Sequence, residues 1–428
     1  MSLAWDVRSV AESKTLPDDW KVRRIGDLVS LTNGYPFPSE SFGPNGDIPL
    51  VRIRDLAEQD FETYVTGDIP PSALLRDGDV VIGMDGDFNL VVWDRGVAAL
   101  NQRLCLLRQR TQVDMRFVAY ALPASLRIIN DLTFATTVKH LSSTDVLNER
   151  IMLPPFEEQR RIADFLDAET KRIDTLVAAK EQASSLIDER RIALISQHCL
   201  RGTNAQTAFK DSGIGPLGSI PSHWAIKRNK TFMREVNDPS QHGGEELLTV
   251  SHLTGVTPRR EKTVYMFQAE SLVGYKKCQP GDLIINTLWA WMGALGVSRH
   301  EGIVSPAYGV YRFTSQDTLP EYFDLLFRTP EYVTEMTRYS KGVWTSRLRL
   351  YPESFLALST PVPPLDEQEA IVTAVQREIG PGRKLQDAIR RSNSLLAERR
   401  SALITAAVTG QFDVSTASGR NVTEGVSA

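Results

Sequence analysis

Two groups of side chains along the chain are of the kinds that read base edges. In the first half they are Tyr35, Arg52, Arg54, Asn89, Arg95, Lys139 and His140. In the second half they are Arg259, Arg260, Lys262, Arg299, His300, Trp344, Arg347 and Arg349. A guanidinium gives guanine two parallel hydrogen bonds, and a carboxamide does the same for adenine, so such residues in loops suit the major groove. The loops are rich in Gly, Asn and aromatics, as in Asn33-Gly34-Tyr35-Pro36-Phe37 and Trp289-Ala290-Trp291-Met292-Gly293. Each candidate also has a plain reading as a solvated or strand-edge residue. Trp289 and Trp291 alternate as on a strand end, with at least one expected inside. The net charge of −4 runs against a phosphate-binding surface, unless the cations are concentrated locally or a partner supplies them.

The chain carries no convincing catalytic motif. Gly213-x-Gly215-x-x-Gly218 matches a dinucleotide fingerprint, but Pro216 sits inside it and Ile220-Pro221 follows, so it reads as a linker turn. No phosphate-binding Gly-x-x-x-x-Gly-Lys-Ser/Thr loop and no His-Glu-x-x-His zinc motif occurs. Leu153-Pro154-Pro155-Phe156 comes closest to an amino-methyltransferase loop, but it leads with Leu and opens a helix. Cys105, Cys199 and Cys278 are scattered and odd in number, which fits free thiols in a reducing cytoplasm. There is no signal-peptide pattern at the start and no apolar stretch of membrane-spanning length. The expectation is a cytoplasmic, non-catalytic protein with no catalytic, cofactor or metal site of its own.

The elements that must position the base-reading loops occur twice. Leu153-Pro154-Pro155-Phe156-Glu157-Glu158-Gln159 returns as Val362-Pro363-Pro364-Leu365-Asp366-Glu367-Gln368, 209 positions later, and the same shift carries Glu189-Arg190-Arg191 onto Glu398-Arg399-Arg400. Each copy ends at a glycine, Gly202 or Gly410. Leu16-Pro17-Asp18-Asp19-Trp20 matches Ile220-Pro221-Ser222-His223-Trp224, and Asp77–Ile82 resembles Pro280–Ile285. The two tryptophans read as core anchors. Four blocks recurring in one order mark an internal repeat.

Each repeated segment has the spacing of a long helix. Leu166, Ile173, Leu176, Ile187 and Leu194 form an apolar stripe in the first, and Val375, Leu385, Ile389, Leu396 and Leu403 form one in the second. Prolines open each helix, and Glu157 and Glu158 suit the positive end of its dipole. At 1.5 Å per residue the first helix is roughly 65–70 Å long, too long for one small domain to bury, so the two are expected to pair antiparallel. Gly380-Pro381-Gly382 is expected to split the second helix into two pieces. Between the helices, short apolar runs such as Ile48–Ile53, Asp79–Ile82, Leu104–Leu107, Leu247–Val250, Leu283–Asn286 and Gly309–Phe313 read as strands. Helical stretches are expected near Arg116–Asp131 and Glu321–Tyr339.

The fold class is therefore α+β: two mixed α/β units separated by an antiparallel pair of long helices, in a pseudo-two-fold internal repeat. The boundaries fall at 1–152 for the first unit, 153–202 for the first helix and 203–361 for the linker and second unit. The second helix takes 362–412, interrupted near 380–382, and 413–428 is a flexible tail.

The doubled Leu/Val-Pro-Pro-x-Asp/Glu-Glu-Gln segment resembles the start of the central and C-terminal conserved helices of the type I restriction–modification specificity subunit family. Asp211 to Trp224 is similar to that family's lead-in to a target recognition domain. The resemblance spans nearly the whole chain. It implies two target recognition domains, each reading half of a split double-stranded DNA sequence, with unread bases between the halves. It implies two adenine-N6 methyltransferase (M) subunits carrying S-adenosylmethionine, and restriction (R) subunits using ATP and Mg. It places subunit contacts on the long helices, carried here to Glu158, Gln159, Arg161, Glu367 and Gln368, which also read as ordinary helix-start residues. Two rival readings are a helical adaptor that joins proteins without reading DNA, and a nuclease or methyltransferase active alone.

Overall fold

The structure is a computed structural model that describes residues 17–58, 60–132, 140–204, 206–262, 271–344 and 347–416. The chain divides into two compact units, 1–179 with 391–428 and 180–390.

A four-stranded sheet and a two-stranded ribbon of unit 1 are built from β1 (Lys21–Arg24), β2 (Val29–Asn33), β3 (Val80–Gly83), β4 (Leu90–Val92), β5 (Leu104–Gln109) and β6 (Arg150–Leu153). A helix, α1 (Met115–Leu132), follows β5. The antiparallel sheet runs β2-β5-β3-β4, and β1 pairs with β6 as a separate ribbon. Val80, Ile82, Cys105 and Leu107 face one core with Phe117 and Leu122 of α1. Val81, Leu104 and Leu106 face a second core with Val51, Leu75 and Trp93. Burial on both faces is why β3 is a continuous apolar run instead of an alternating one.

The first of the two long helices begins just after β6. Helix α2 spans Phe156–Arg201, with Glu157 and Glu158 in its first turn and His198 and Arg201 in its last. It closes at Gly202, whose φ of 72° is the left-handed conformation that favours glycine.

Unit 2 repeats the plan. Its matching sheet and ribbon are built from β7 (Ala225–Arg228), β8 (Met233–Glu235), β9 (Leu283–Asn286), β10 (Leu295–Val297), β11 (Tyr308–Phe313) and β12 (Ser359–Val362). The sheet order β8-β11-β9-β10 matches that of unit 1, and β7 pairs with β12 as β1 does with β6. Leu283 and Ile285 face the larger core, while Ile284 and Val310 face a smaller one. The late helical stretch is divided into α3 (Pro320–Phe327) and α4 (Pro330–Arg338), because Thr329 caps a new helix that starts at Pro330.

The same two ion pairs brace the two sheets. Arg108 donates from Nε and Nη2 to the two carboxylate oxygens of Asp79 at 2.8 and 2.7 Å. Arg312 does the same to Asp282, at 2.8 Å for each bond. Both aspartates also accept a backbone N–H, from Arg76 and Gln279 respectively, and so close the turn before β3 and β9.

Helix α5 spans Leu365–Val408 and ends before Gly410, which has a φ of 71°. It runs antiparallel to α2 within each unit. In unit 1, Leu403, Ala407 and Val408 join the core that holds Ile162 and Leu166, and Arg400 lies 3.5 Å from Asp174. In unit 2, Gln386 Nε2 donates to Ser184 O at 3.1 Å, and His198 Nε2 lies 3.2 Å from Glu378 Oε1.

Of the stripe residues, Leu166, Ile173, Val375, Ile389 and Leu403 are buried, and Ile187, Leu194 and Leu396 are half-buried. Leu176 and Leu385 are exposed, contrary to the seam assignment. Each lies ten positions after a buried residue, roughly 80° round the helix from it at 3.6 residues per turn, and so leaves the seam.

The expected break at Gly380-Pro381-Gly382 is absent, and α5 passes through Pro381 as one helix. A Cβ on Gly382 would sit 3.0 Å from Ile187 Cγ2, so the glycine lets the two helices approach closely. Burial of Ile379 and Ile389 on either side outweighs the local cost of proline, about 3 kcal/mol. Of the expected tail, Val414 packs against the unit 1 core, and 417–428 lie outside the described residues.

Cys105, Cys199 and Cys278 are free and buried, and burial pushes all three thiols up, those of Cys105 and Cys278 to about 12.

Gly382→Val is expected to wedge α2 and α5 apart and to cost about 1–3 kcal/mol, read as a lower midpoint in urea unfolding. An unchanged midpoint would show that the glycine is not a packing requirement.

Candidate nucleic-acid interface

The loops that follow β3 and β9 are held by a returning segment in the same way in both units. Leu141 N donates to Met84 O at 2.8 Å, and Leu350 N donates to Thr287 O at 2.9 Å. Beside each contact lies a group of polar and basic side chains.

In unit 1 the group centres on Asp85. Its carboxylate takes a hydrogen bond from Arg103 Nη1 at 2.8 Å and lies 2.8 Å from His140 Nδ1. Burial works to raise the Asp85 carboxyl, but the bonds to His140 and Arg103 outweigh it and hold the group below its ordinary value of 3.8. Asn89 is exposed in the same loop, and Tyr35 is exposed with its ring edge-on to Phe37 at 4.9 Å.

In unit 2 the returning segment is a tight hairpin. Lys341 and Arg349 exchange both backbone hydrogen bonds at 2.9 Å, and Arg347 N donates to Trp344 O at 2.8 Å. The cations of Lys341 and Arg349 lie 5.9 and 5.3 Å from the centre of the Tyr351 ring. Val343 and Trp344 project at the tip, 93% and 70% exposed. The loop anchored to this hairpin exposes Leu288, Trp289 and Met292. Trp289 precedes a 3-10 turn, Ala290–Met292, and does not lie on a strand. Trp291 is half-buried and donates from Nε1 to Leu288 O at 3.0 Å.

The remaining candidates separate by what holds them. Arg52 is structural. Its Nε and Nη2 bind Asp55 at 2.7 and 3.2 Å, bracing the turn Ile53–Leu56. Arg95 is also structural, with its guanidinium 4.1 Å from the centre of the Trp93 ring, donating to the carbonyls of Asp55, Leu56 and Glu58. Both are drawn away from base reading by acceptors that the sequence places far off or in a turn. Arg54 stays exposed, 3.8 Å from Asp55. Arg260 is exposed and 3.0 Å from Glu246. Arg259 and Lys262 are half-buried, and burial lowers the Lys262 ammonium. Arg299 and His300 are exposed on a separate turn of unit 2. Lys139 lies outside the described residues. Lys341, Tyr351, Asp85 and Arg103 were missed, although basic residues on both sides of Gly342-Val343-Trp344 were a readable signal.

The assignment of Gln159 and Gln368 to a subunit contact is corrected by their burial, at 2% and 0% exposure. Gln159 accepts from Asp114 N at 2.9 Å and donates to Pro154 O at 2.8 Å. Gln368 accepts from Leu319 N at 2.8 Å and donates to Pro363 O and Asp317 O, both at 2.8 Å. Glu367 is engaged as well, by His223 at 2.7 Å and Trp224 Nε1 at 2.5 Å. Arg161 is exposed and Glu158 half-buried, so both can meet a partner.

Residues 17–183 match the family model for the type I restriction modification DNA specificity domain. The type I restriction enzyme EcoBI specificity subunit of Escherichia coli is 28% identical over 382 residues, covering 85% of this chain and 80% of its own. Residues 17–183 thus match a type I restriction modification DNA specificity domain, and the chain is similar to type I specificity subunits along most of its length. The EcoKI specificity subunit of Escherichia coli K12 is 22% identical over 393 residues, covering 85% of this chain and 82% of its own. A solved chain described under complex assembly and conformational transition of a type I system has the same fold, with a TM-score of 0.65 at 18% identity over 93% of this chain and 100% of that one. The role that goes with this similarity is DNA sequence specificity in a type I restriction–modification system.

Two outcomes follow from these contacts. Gln368→Ala removes the partner of the Leu319 N–H and of the Pro363 and Asp317 carbonyls, the Pro363 bond being buried, and is expected to cost about 1–3 kcal/mol of stability in chemical unfolding. A value near zero would mean that water replaces the carboxamide. The Asp85 carboxyl is depressed in the folded state, so its stabilising contribution is complete above 3.8 and disappears as pH falls through the lower folded value. Asp85→Asn should therefore flatten part of the acid limb of the stability–pH curve, and an identical curve would contradict the pairing.

Proposed function

We propose that this specificity subunit reads a bipartite double-stranded DNA target, one short block for each unit. The observation that carries this is a repeated scaffold with unlike reading groups. Both units build the same sheet and hold the loop after its third strand by the same backbone bond. Unit 1 presents Tyr35, Arg54, Asn89 and His140 around that frame, whereas unit 2 presents Lys341, Trp344, Arg347 and Arg349. One frame with two chemistries suits two different half-sites.

In this reading the chain positions DNA and partners and does no chemistry itself. Two adenine-N6 methyltransferase subunits would bring S-adenosylmethionine, and restriction subunits would bring ATP and Mg. Arg161 and Glu158 are available on α2 for such contacts. Support for the partners comes from the similarity to type I specificity subunits. No helix among the described residues is long and apolar enough to cross a membrane, and a cytoplasmic setting suits a protein that acts on chromosomal DNA.

The test is methylation-sensitive sequencing of DNA from cells expressing the complex. Adenine methylation in two short blocks with unread bases between them is expected. Equal affinity of the assembled complex for all sequences would instead favour a helical adaptor. Arg347→Gln should cost about 1–3 kcal/mol on target DNA and relax one position of one block. An unchanged methylated sequence would remove Arg347 from the reading set.

A further inference from the structure

We propose that Val343 and Trp344 form a wedge that enters the base stack of the half-site read by unit 2, so that this unit reads DNA deformability as well as base edges. The inference rests on the DNA-reading role above and deepens it.

The hairpin is closed by backbone bonds on the flanks of its tip. Lys341 and Arg349 close it with two backbone hydrogen bonds, and the bond from Arg347 N to Trp344 O sets the turn inside it. A Cβ on Gly342 would lie 2.6 Å from Arg347 O, so only glycine fits where the two sides approach. The base is fixed to the sheet loop by Leu350 N and Thr287 O.

What it carries has no use in the fold. Val343 and Trp344 are 93% and 70% exposed, whereas Trp224 of the same unit is wholly buried. Large apolar side chains on a short projection are the form that unstacks base steps, and a tryptophan can also stack on the base it displaces. Charge settles the occupant in favour of DNA. Lys341, Arg347 and Arg349 flank the tip, and among the described residues no carboxylate pairs with any of them. Elsewhere in the unit Arg260, Arg312 and Arg338 are matched by Glu246, Asp282 and Glu335. Three uncompensated cations around an apolar point suit a polyanion with a hydrophobic interior.

The experiment uses the full chain assembled with its methyltransferase subunits and duplexes of the mapped target carrying 2-aminopurine at successive positions. With the wild-type complex, fluorescence should rise at one step within or beside a single half-site. Trp344→Ala should abolish that rise and lower affinity for the target roughly tenfold, with little change on unrelated DNA. Trp344→Phe should keep most of both. An abasic site at the same step removes the stacking to be broken and should restore binding by Trp344→Ala.

A wild-type complex that selects its target with no rise at any position overturns the wedge and leaves the DNA-reading role intact. So does a Trp344→Ala complex that behaves as wild type, or one that loses target and unrelated DNA equally. Loss of methyltransferase subunits from the Trp344→Ala preparation overturns it in favour of a protein contact. No sequence selection by the wild-type complex overturns the role and the wedge together.

Discussion

A carboxamide cut off from water has to find every hydrogen-bond partner inside the protein, and this need shapes the junction at the head of each long helix. Gln159 joins Pro154 O to Asp114 N, and Gln368 joins Pro363 O and Asp317 O to Leu319 N. In each case the bonds tie together the end of a ribbon strand, the first turn of the long helix and the segment leading into the unit's shorter helix. An unmatched polar group there would cost more than most surface contacts contribute, so the three parts have one acceptable arrangement. The sheet with its loops is thereby fixed to the helix in each unit, and the reading groups inherit that orientation.

The distribution of arginine partners explains how a chain with a net charge of −4 can present a basic surface. Many guanidiniums are neutralised locally. Asp79 and Asp282 take Arg108 and Arg312, and Asp114, Asp164 and Asp167 converge on Arg116. These pairs hold the scaffold and leave little field outside it. At the hairpin of unit 2, Lys341, Arg347 and Arg349 have no carboxylate partner among the described residues, and phosphates respond to the local potential more than to the total.

The repeat, the strands and the two long helices were readable because they follow from periodicity and from blocks kept in order. The two middle strands of each sheet were anticipated from apolar runs such as Val80-Val81-Ile82 and Leu283-Ile284-Ile285, though the outer strands and the matching strand order were not. The reading groups were less legible. Arg52 and Arg95 look like Arg347 in sequence, and only the folded chain brings Asp55 and its neighbouring carbonyls against them. The glutamines were misread for a similar reason, since their partners Asp114 and Leu319 lie in other elements. Gly380-Pro381-Gly382 failed as a breaker because tertiary burial overrode a local preference. Leu176 and Leu385 show the converse, an apolar pattern that continues after the seam has turned away.

The core of unit 1 draws on both ends of the described chain. Trp20 lies in it together with Leu403, Ala407 and Val408, and a Cβ on Gly410 would touch Pro17. All of unit 2 is encoded between these pieces. During synthesis, therefore, unit 2 can finish folding before unit 1, whose N-terminal piece waits for the end of α5 to emerge from the ribosome. Until then the nascent chain keeps an incomplete apolar surface, a state in which a chaperone has more to cover than the folded unit ever shows.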